Sequence, residues 1–135
     1  MTLFICVDDE MGVGFNNRRQ SKDRVLRARM LSRAAGHALF VSEYTAKQFE
    51  EGETGYTVCD KPEKKAGKGD FIFAEDRDIP LRKVKTLVLY RWNRLYPADR
   101  YFHFDAAREG FVLAETAEFV GSSHEKITEE VYVRK

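Results

Sequence analysis

Cysteine is almost missing from this sequence: Cys6 and Cys59 are the only two. Both fall in apolar, strand-like stretches, so a disulfide scaffold is not expected and free thiols in a reducing compartment are. An excess of one charge is missing as well. The 135 residues hold 23 Lys and Arg against 22 Asp and Glu, which excludes both a globally basic nucleic-acid coat and an acidic solvating tail. No apolar run approaches the roughly 18 to 20 residues of a membrane span. The opening Met1-Thr2-Leu3-Phe4-Ile5-Cys6-Val7 lacks the basic start and small-residue cleavage site of a secretory signal. A cytoplasmic location is therefore expected. There is no internal repeat, and the only loop-like biased stretch, residues 60–69, is too short for an interdomain linker. What is present is core material: 43% hydrophobic and 13% aromatic residues, too apolar for a disordered chain. A second core would need roughly another 50 to 100 residues, so residues 1–135 are expected to form one domain.

The order of elements points to an α/β fold. Residues 2–7 are a near-continuous apolar run, as expected for a strand buried on both faces. A helix is predicted over 22–35, with Ser21 as N-cap, Asp23 in its first turn, an apolar row of Leu26, Met30 and Ala34, and Gly36 as the stop. Residues 38–41 read as a second strand, 43–51 as a helix capped by Ser42, and 56–59 as a third strand. Residues 71–74 and 85–90 are further short strands. Residues 100–105, 111–120 and 126–134 are then β-rich without a helix between them, and 128–134 alternate as a strand with one wet face does. Strand–helix units followed by a hairpin predict a single three-layer domain: one mixed, mostly parallel sheet, covered by helices, with a C-terminal antiparallel hairpin.

That order resembles the dihydrofolate reductases. Phe4-Ile5-Cys6-Val7-Asp8 through Gly12-Val13-Gly14-Phe15-Asn16-Asn17-Arg18 is similar to the family's opening strand and turn. Pro97-Ala98-Asp99-Arg100-Tyr101-Phe102 is similar to its Ala-Asp-Arg-Leu-Tyr segment, and Glu130-Val131-Tyr132-Val133-Arg134-Lys135 to its last strand. The resemblance implies a shortened reductase-like fold, with the helix before strand 85–90 reduced to a loop around Ile79-Pro80-Leu81. It also implies a ring-binding carboxylate in the first helix. Asp23, the only acid in residues 11–42, matches by position, but its position at the helix start reads more simply as a helix-terminal dipole partner.

The resemblance implies a dinucleotide site too, built on helix N-termini with Gly-Arg after the second strand and Gly-Gly after a later one. Glycine lets backbone amides approach a pyrophosphate closely. Here the two places read Ser42-Glu43-Tyr44-Thr45 and Tyr90-Arg91-Trp92-Asn93, without glycine and with a carboxylate at the first. No cofactor is expected, and NADPH-dependent folate reduction is not.

Other chemistry is sparse. Asp8, Asp9 and Glu10 lie at a strand end, where successive side chains diverge, and His37, His103 and His124 are scattered, so no metal site is expected. No Gly-x-Ser-x-Gly, Walker loop or His-x-His-x-Asp-His signature occurs, and no nucleophile has an obvious base nearby. Charge, however, is unevenly placed. Residues 16–35 carry seven cations against Asp23 alone, while residues 105–135 carry seven acids against four cations. On a helix Lys22, Arg29 and Arg33 fall within about 40° of one another, a stripe suited to phosphate or carboxylate. It pairs either with the protein's own acidic hairpin or with an anionic partner.

Two functions compete. One is a binding domain that uses a strand-end cleft and the basic helix. The other is an enzyme acting on a small anionic or nucleotide-like substrate around Asp23. The candidate cleft residues are Asp8, Asn16, Arg18, Arg19, Gln20 and Asp23; the candidate anion-binding residues are Lys22, Arg29 and Arg33. The expected partner is an anionic small molecule, nucleic acid or acidic protein surface, and not a membrane. An open pocket at a buried Asp23 of raised pKa favours the enzyme; a filled cleft favours binding or structure.

Overall fold

A computed structural model describes all residues, 1–135. Its centre is β1 (Thr2–Val7), whose apolar residues on alternate sides feed two cores: Phe4 one, and Leu3, Ile5 and Val7 the other. β1 lies between two parallel neighbours, β6 (Phe71–Phe73) and β7 (Thr86–Arg91). β4 (Leu39–Val41) and β5 (Thr57–Val58) extend the sheet beyond β6, again in parallel. On the other side β10 (Ile127–Arg134) runs antiparallel to β7, and β9 (Phe111–Phe119) antiparallel to β10 at the edge. The order is therefore β5-β4-β6-β1-β7-β10-β9, the mixed sheet with a C-terminal hairpin that the sequence predicts.

The expectation of a single sheet needs correction. Residues 100–105 are not a strand of it. Only Arg100–Tyr101 (β8) is extended, and it pairs with β2 (Gly12–Phe15) in a second sheet that β3 (Arg18–Arg19) completes. The chain leaves that sheet because Phe102 and Phe104 turn into the core beside Phe111, and Asp105 caps the single turn α4 (Ala106–Glu109). β2 and β3 are joined by Asn16 and Asn17, both at positive φ, a two-residue hairpin turn that asparagine tolerates.

The helix α1 (Arg24–Ala34) lays Leu26, Met30 and Ala34 on the first core. Its N-cap is Asp23 and not Ser21, because the Asp23 carboxylate accepts the Leu26 N–H. The other helical pieces are single turns. α2 (Glu43–Ala46) is capped by Ser42 and stops short of residue 51; α3 (Pro62–Lys65) falls in the stretch expected to be loop. The connection before β7 is a 3-10 turn, Leu81–Lys83, around which Ile79, Leu81 and Val84 cover the second core. No helix is long and apolar enough to cross a membrane. Cys6 and Cys59 are free, and Cys59 falls just beyond β5.

Candidate functional site

The small sheet faces the carboxyl ends of β4 and β6, the edge where open α/β sheets place ligands. A cleft of about 320 Å³ opens there, lined by Arg18, Arg19, Tyr44, Glu75, Asp76 and Arg100 among others. A second hollow of about 240 Å³ shares Glu75 and Arg100 with it and is walled by Ile5, Val13, Ile79, Leu81 and Phe102. The pair forms a groove with a charged half and an apolar half.

Glu75 lies at the junction, its side chain only 10% exposed. Burial pushes its pKa up, and the Arg19 guanidinium, at 3.0 to 3.3 Å from its oxygens, offsets this only in part. Arg19 is itself fixed: its guanidinium lies 4.6 Å above the Tyr44 ring and donates to the Tyr44 carbonyl at 3.0 Å. Asp76 accepts from the Ser42 hydroxyl at 3.0 Å, and Asp99 from the Asn16 N–H at 3.1 Å. Arg100 donates to the Glu75 carbonyl and to the fully exposed Asp78. Arg18 is exposed on the cleft wall and has no ion pair.

The predicted cleft residues divide. Arg18 and Arg19 line the cleft and Asn16 adjoins it; Asp8, Gln20 and Asp23 lie elsewhere, in two buried polar knots. Asp8 is 1% exposed and accepts from the N–H groups of Glu10, Gly12 and Tyr96 and from Gln20 Nε2. Burial raises its pKa, but those four bonds outweigh it and hold the carboxyl below its usual range. Gly12 is required there, because a Cβ would come within 2.8 Å of Ala98, Gln20 and Asp8 at once. The acidic triplet diverges: Asp9 and Glu10 are exposed while Asp8 is buried.

Asp23 is 2% exposed, and both its oxygens are occupied by the protein. Oδ1 accepts from Leu26 N and Ser122 N; Oδ2 accepts from Ser123 N, the Ser123 hydroxyl and His124 Nδ1, at 2.8 to 3.1 Å. Burial opposes ionisation, but these bonds win and hold the carboxyl far below its ordinary pKa. The residue faces no open pocket. It ties α1 to residues 121–124, the turn between β9 and β10, and Gly121 makes room for it: a Cβ there would overlap Asp23 Oδ2. Gly121→Ala should therefore cost about 1–3 kcal/mol, read as a lower urea midpoint; an unchanged midpoint means the turn adjusts freely.

The basic stretch is mostly committed internally. Arg29 and Arg33 both donate in pairs to Glu129 of β10, at 2.8 to 3.1 Å. Arg27, 1% exposed, pairs with Glu53 and Glu50. Lys22 precedes the helix, so it does not extend the stripe; it is exposed and unpaired, like Arg18 and Arg24.

No protein-family model matches the sequence, and no curated protein matches it. A solved structure does: a dihydrofolate reductase from Enterococcus faecalis complexed with NADP(H) and RAB-propyl. Its TM-score to this chain is 0.64 at 9% sequence identity, over 99% of this chain and 95% of that one. The chain has the dihydrofolate reductase fold. At that identity the likeness carries the fold alone.

The residues present do not suit a dinucleotide bound in the manner of the dihydrofolate reductases. Beyond β4 the hollow at Ser42 is lined by Glu43, Asp60 and Asp76 against Arg77 alone, and α2 is one turn long. Beyond β7, Trp92 is buried and stacked on His124, where bare amides are needed. Asp23, which the sequence resemblance would make the ring-binding carboxylate, has no free oxygen. Sequence reasoning passed over Tyr44, Glu75, Asp76 and His124 as site residues. Asp99 and Arg100 were visible within Pro97-Ala98-Asp99-Arg100, which carries the resemblance.

Proposed function

We propose that this chain is a small-molecule-binding domain, built on the dihydrofolate reductase fold, that holds a small ligand bearing an anionic group in the strand-end cleft. One observation carries the reading: a 320 Å³ cleft at the strand ends places Arg18, which has no partner, and Arg100, whose only carboxylate partner is fully exposed, beside Glu75 and Asp76. The balance of arginines and carboxylates in the wall suits a singly charged or zwitterionic ligand better than a polyphosphate. The apolar hollow beyond Glu75 suits a ring or short hydrocarbon attached to it. The basic helix contributes little, since Arg29 and Arg33 already share Glu129. The enzyme reading, with Asp23 acting on a substrate directly, is disfavoured by its filled hydrogen-bonding capacity.

Thermal shift with NADPH, folates, nucleotides, amino acids and short RNA tests this. A ligand at 100 times its Kd adds about 2.7 kcal/mol. A small carboxylate or monophosphate should raise Tm in the wild type and not in Arg18→Ala/Arg100→Ala, while millimolar NADPH should leave Tm unchanged. A clear rise with NADPH restores the reductase reading. A rise with RNA alone moves the site to the exposed cations Lys22 and Arg24.

A further inference from the structure

The turn that carries His124 brings together three side chains from distant parts of the chain. His124 Nδ1 lies 3.1 Å from Asp23 Oδ2, and His124 Nε2 lies 3.1 Å from the Ser21 hydroxyl. The Asp23 carboxylate only accepts, so in the tautomer that serves a base the ring's proton sits on Nδ1. Nε2 then carries a bare lone pair directed at hydroxyl donors. This is the arrangement in which a serine acquires a general base and the base an orienting carboxylate; it is recognised by geometry, whatever the chain order. The ring is held by more than Asp23. His124 is 5% exposed, stacks on Trp92 with centroids 4.4 Å apart, and also receives the Tyr96 hydroxyl at Nε2, at 2.9 Å.

Ser21 is half-buried and opens on a hollow of about 10 Å³, the size of one water molecule. The hollow is walled by Arg19, Gln20, Glu75 and Trp92 among others, and through Arg19 and Glu75 it adjoins the strand-end cleft. Gln20 adds a second observation, because its Oε1 is a buried acceptor without any partner. A base-bound serine beside a water-sized hollow supplies a nucleophile, its base and room for one water, while the half-buried Ser21 leaves its outer side open to an acyl group.

We propose that Ser21 is an activated nucleophile that takes the acyl group of a small ester, with His124 as general base and Asp23 as the positioning residue. The Ser21 oxygen bonds to the carbonyl carbon while its proton passes to His124 Nε2. The carbon–oxygen bond of the ester then breaks, and the departing alkoxide takes that proton as an alcohol. Water in the hollow reverses the sequence: its proton goes to Nε2, its oxygen to the acyl carbon, and Ser21 recovers its proton as the carboxylic acid leaves. Asp23 stays ionised throughout and stabilises the imidazolium of each step. The site is independent of the ligand-binding reading, since neither Arg18 nor Arg100 takes part.

A fluorophosphonate probe, with intact mass and peptide mapping, tests the assignment, and release of nitrophenol from p-nitrophenyl acetate gives the rate. The expected result is one adduct, on Ser21, that is absent in Ser21→Ala and forms at least tenfold more slowly in His124→Gln. Ser21→Ala removes one atom at a half-buried position, so circular dichroism should show it folded and its loss of labelling should be chemical. Tyr96→Phe frees Nε2 from the competing hydroxyl and should label at least as fast as wild type. No adduct on the folded wild type overturns the proposal. So does an adduct on Tyr96 or Ser123, or a Ser21→Ala protein that labels like wild type.

Discussion

Alanine at position 129 should lower the unfolding free energy by about 3 kcal/mol. Glu129 is 1% exposed, yet it takes four N–H donors from Arg29 and Arg33 on its two oxygens, with only the exposed Glu115, 3.9 Å from Arg33, as a further carboxylate. Breaking a buried pair from one side costs about 3–5 kcal/mol because the partners lose compensation. The lower figure applies because the guanidiniums are about one-third exposed and can turn to water. Turning away also sacrifices the stacking of Arg29 on Phe119, 4.7 Å from the ring centroid. The measurement is the urea midpoint at constant slope. A loss below about 1 kcal/mol would mean that the pairs are worth no more than surface ion pairs.

The same site sets how the fold responds to acid. Burial by itself would raise the Glu129 pKa, but the bonds from Arg29 and Arg33 more than reverse this and bring it from an ordinary 4.5 to about 2. A carboxylate depressed in the native state adds stability that is complete above the unfolded pKa and is lost as pH falls through the folded one. The window here runs from about pH 5 down to about pH 2, and the contribution is on the order of 3 kcal/mol. Glu129→Gln should therefore be less stable than wild type at pH 7, and the difference should shrink steadily below pH 5. A gap that stays constant with pH would assign the loss to packing rather than charge.

The backbone plan was legible because it rests on local signals. Residues 2–7 are a near-continuous apolar run and 87–90 a continuous one, the mark of strands buried on both faces, and β10 alternates as a one-sided strand does. The second sheet was not legible: β3 and β8 are two residues each, too short to show a period, and β8 reaches its partner β2 from more than 80 residues away. The site was harder for the same reason. Arg18 and Arg19 were picked out by local charge, but Glu75 has an apolar strand on one side and a polar loop on the other, with nothing local to distinguish it. The partners of Asp23 are about 100 residues away, and no spacing rule reaches that far. The pairing of Arg29 and Arg33 with the acidic hairpin was one of two readings that charge asymmetry allowed; only the placement of β10 beneath α1 chooses it.

Asp23→Asn should be nearly as damaging as Asp23→Ala, each costing about 3 kcal/mol or more, although asparagine is isosteric with aspartate. Every group facing the carboxylate from protein is a donor: Leu26 N and Ser122 N at Oδ1, Ser123 N at Oδ2, with the Ser123 hydroxyl and His124 Nδ1 beside it. An amide must therefore point its NH2 at one set of N–H groups whichever way it is turned. The histidine can change tautomer and the hydroxyl can rotate, but backbone N–H groups cannot become acceptors. At least one buried donor is left unpaired, at about 1–3 kcal/mol, and the charge that strengthened the remaining bonds is gone. Trp92 is the only tryptophan and stacks on His124, so its emission reports whether the turn still holds the ring. The expected result for both variants is a lowered urea midpoint together with an altered Trp92 spectrum in the native state. If Asp23→Asn matches wild type in both, the bonds seen around Asp23 contribute shape and not charge, and the imidazole needs no carboxylate to hold it in place.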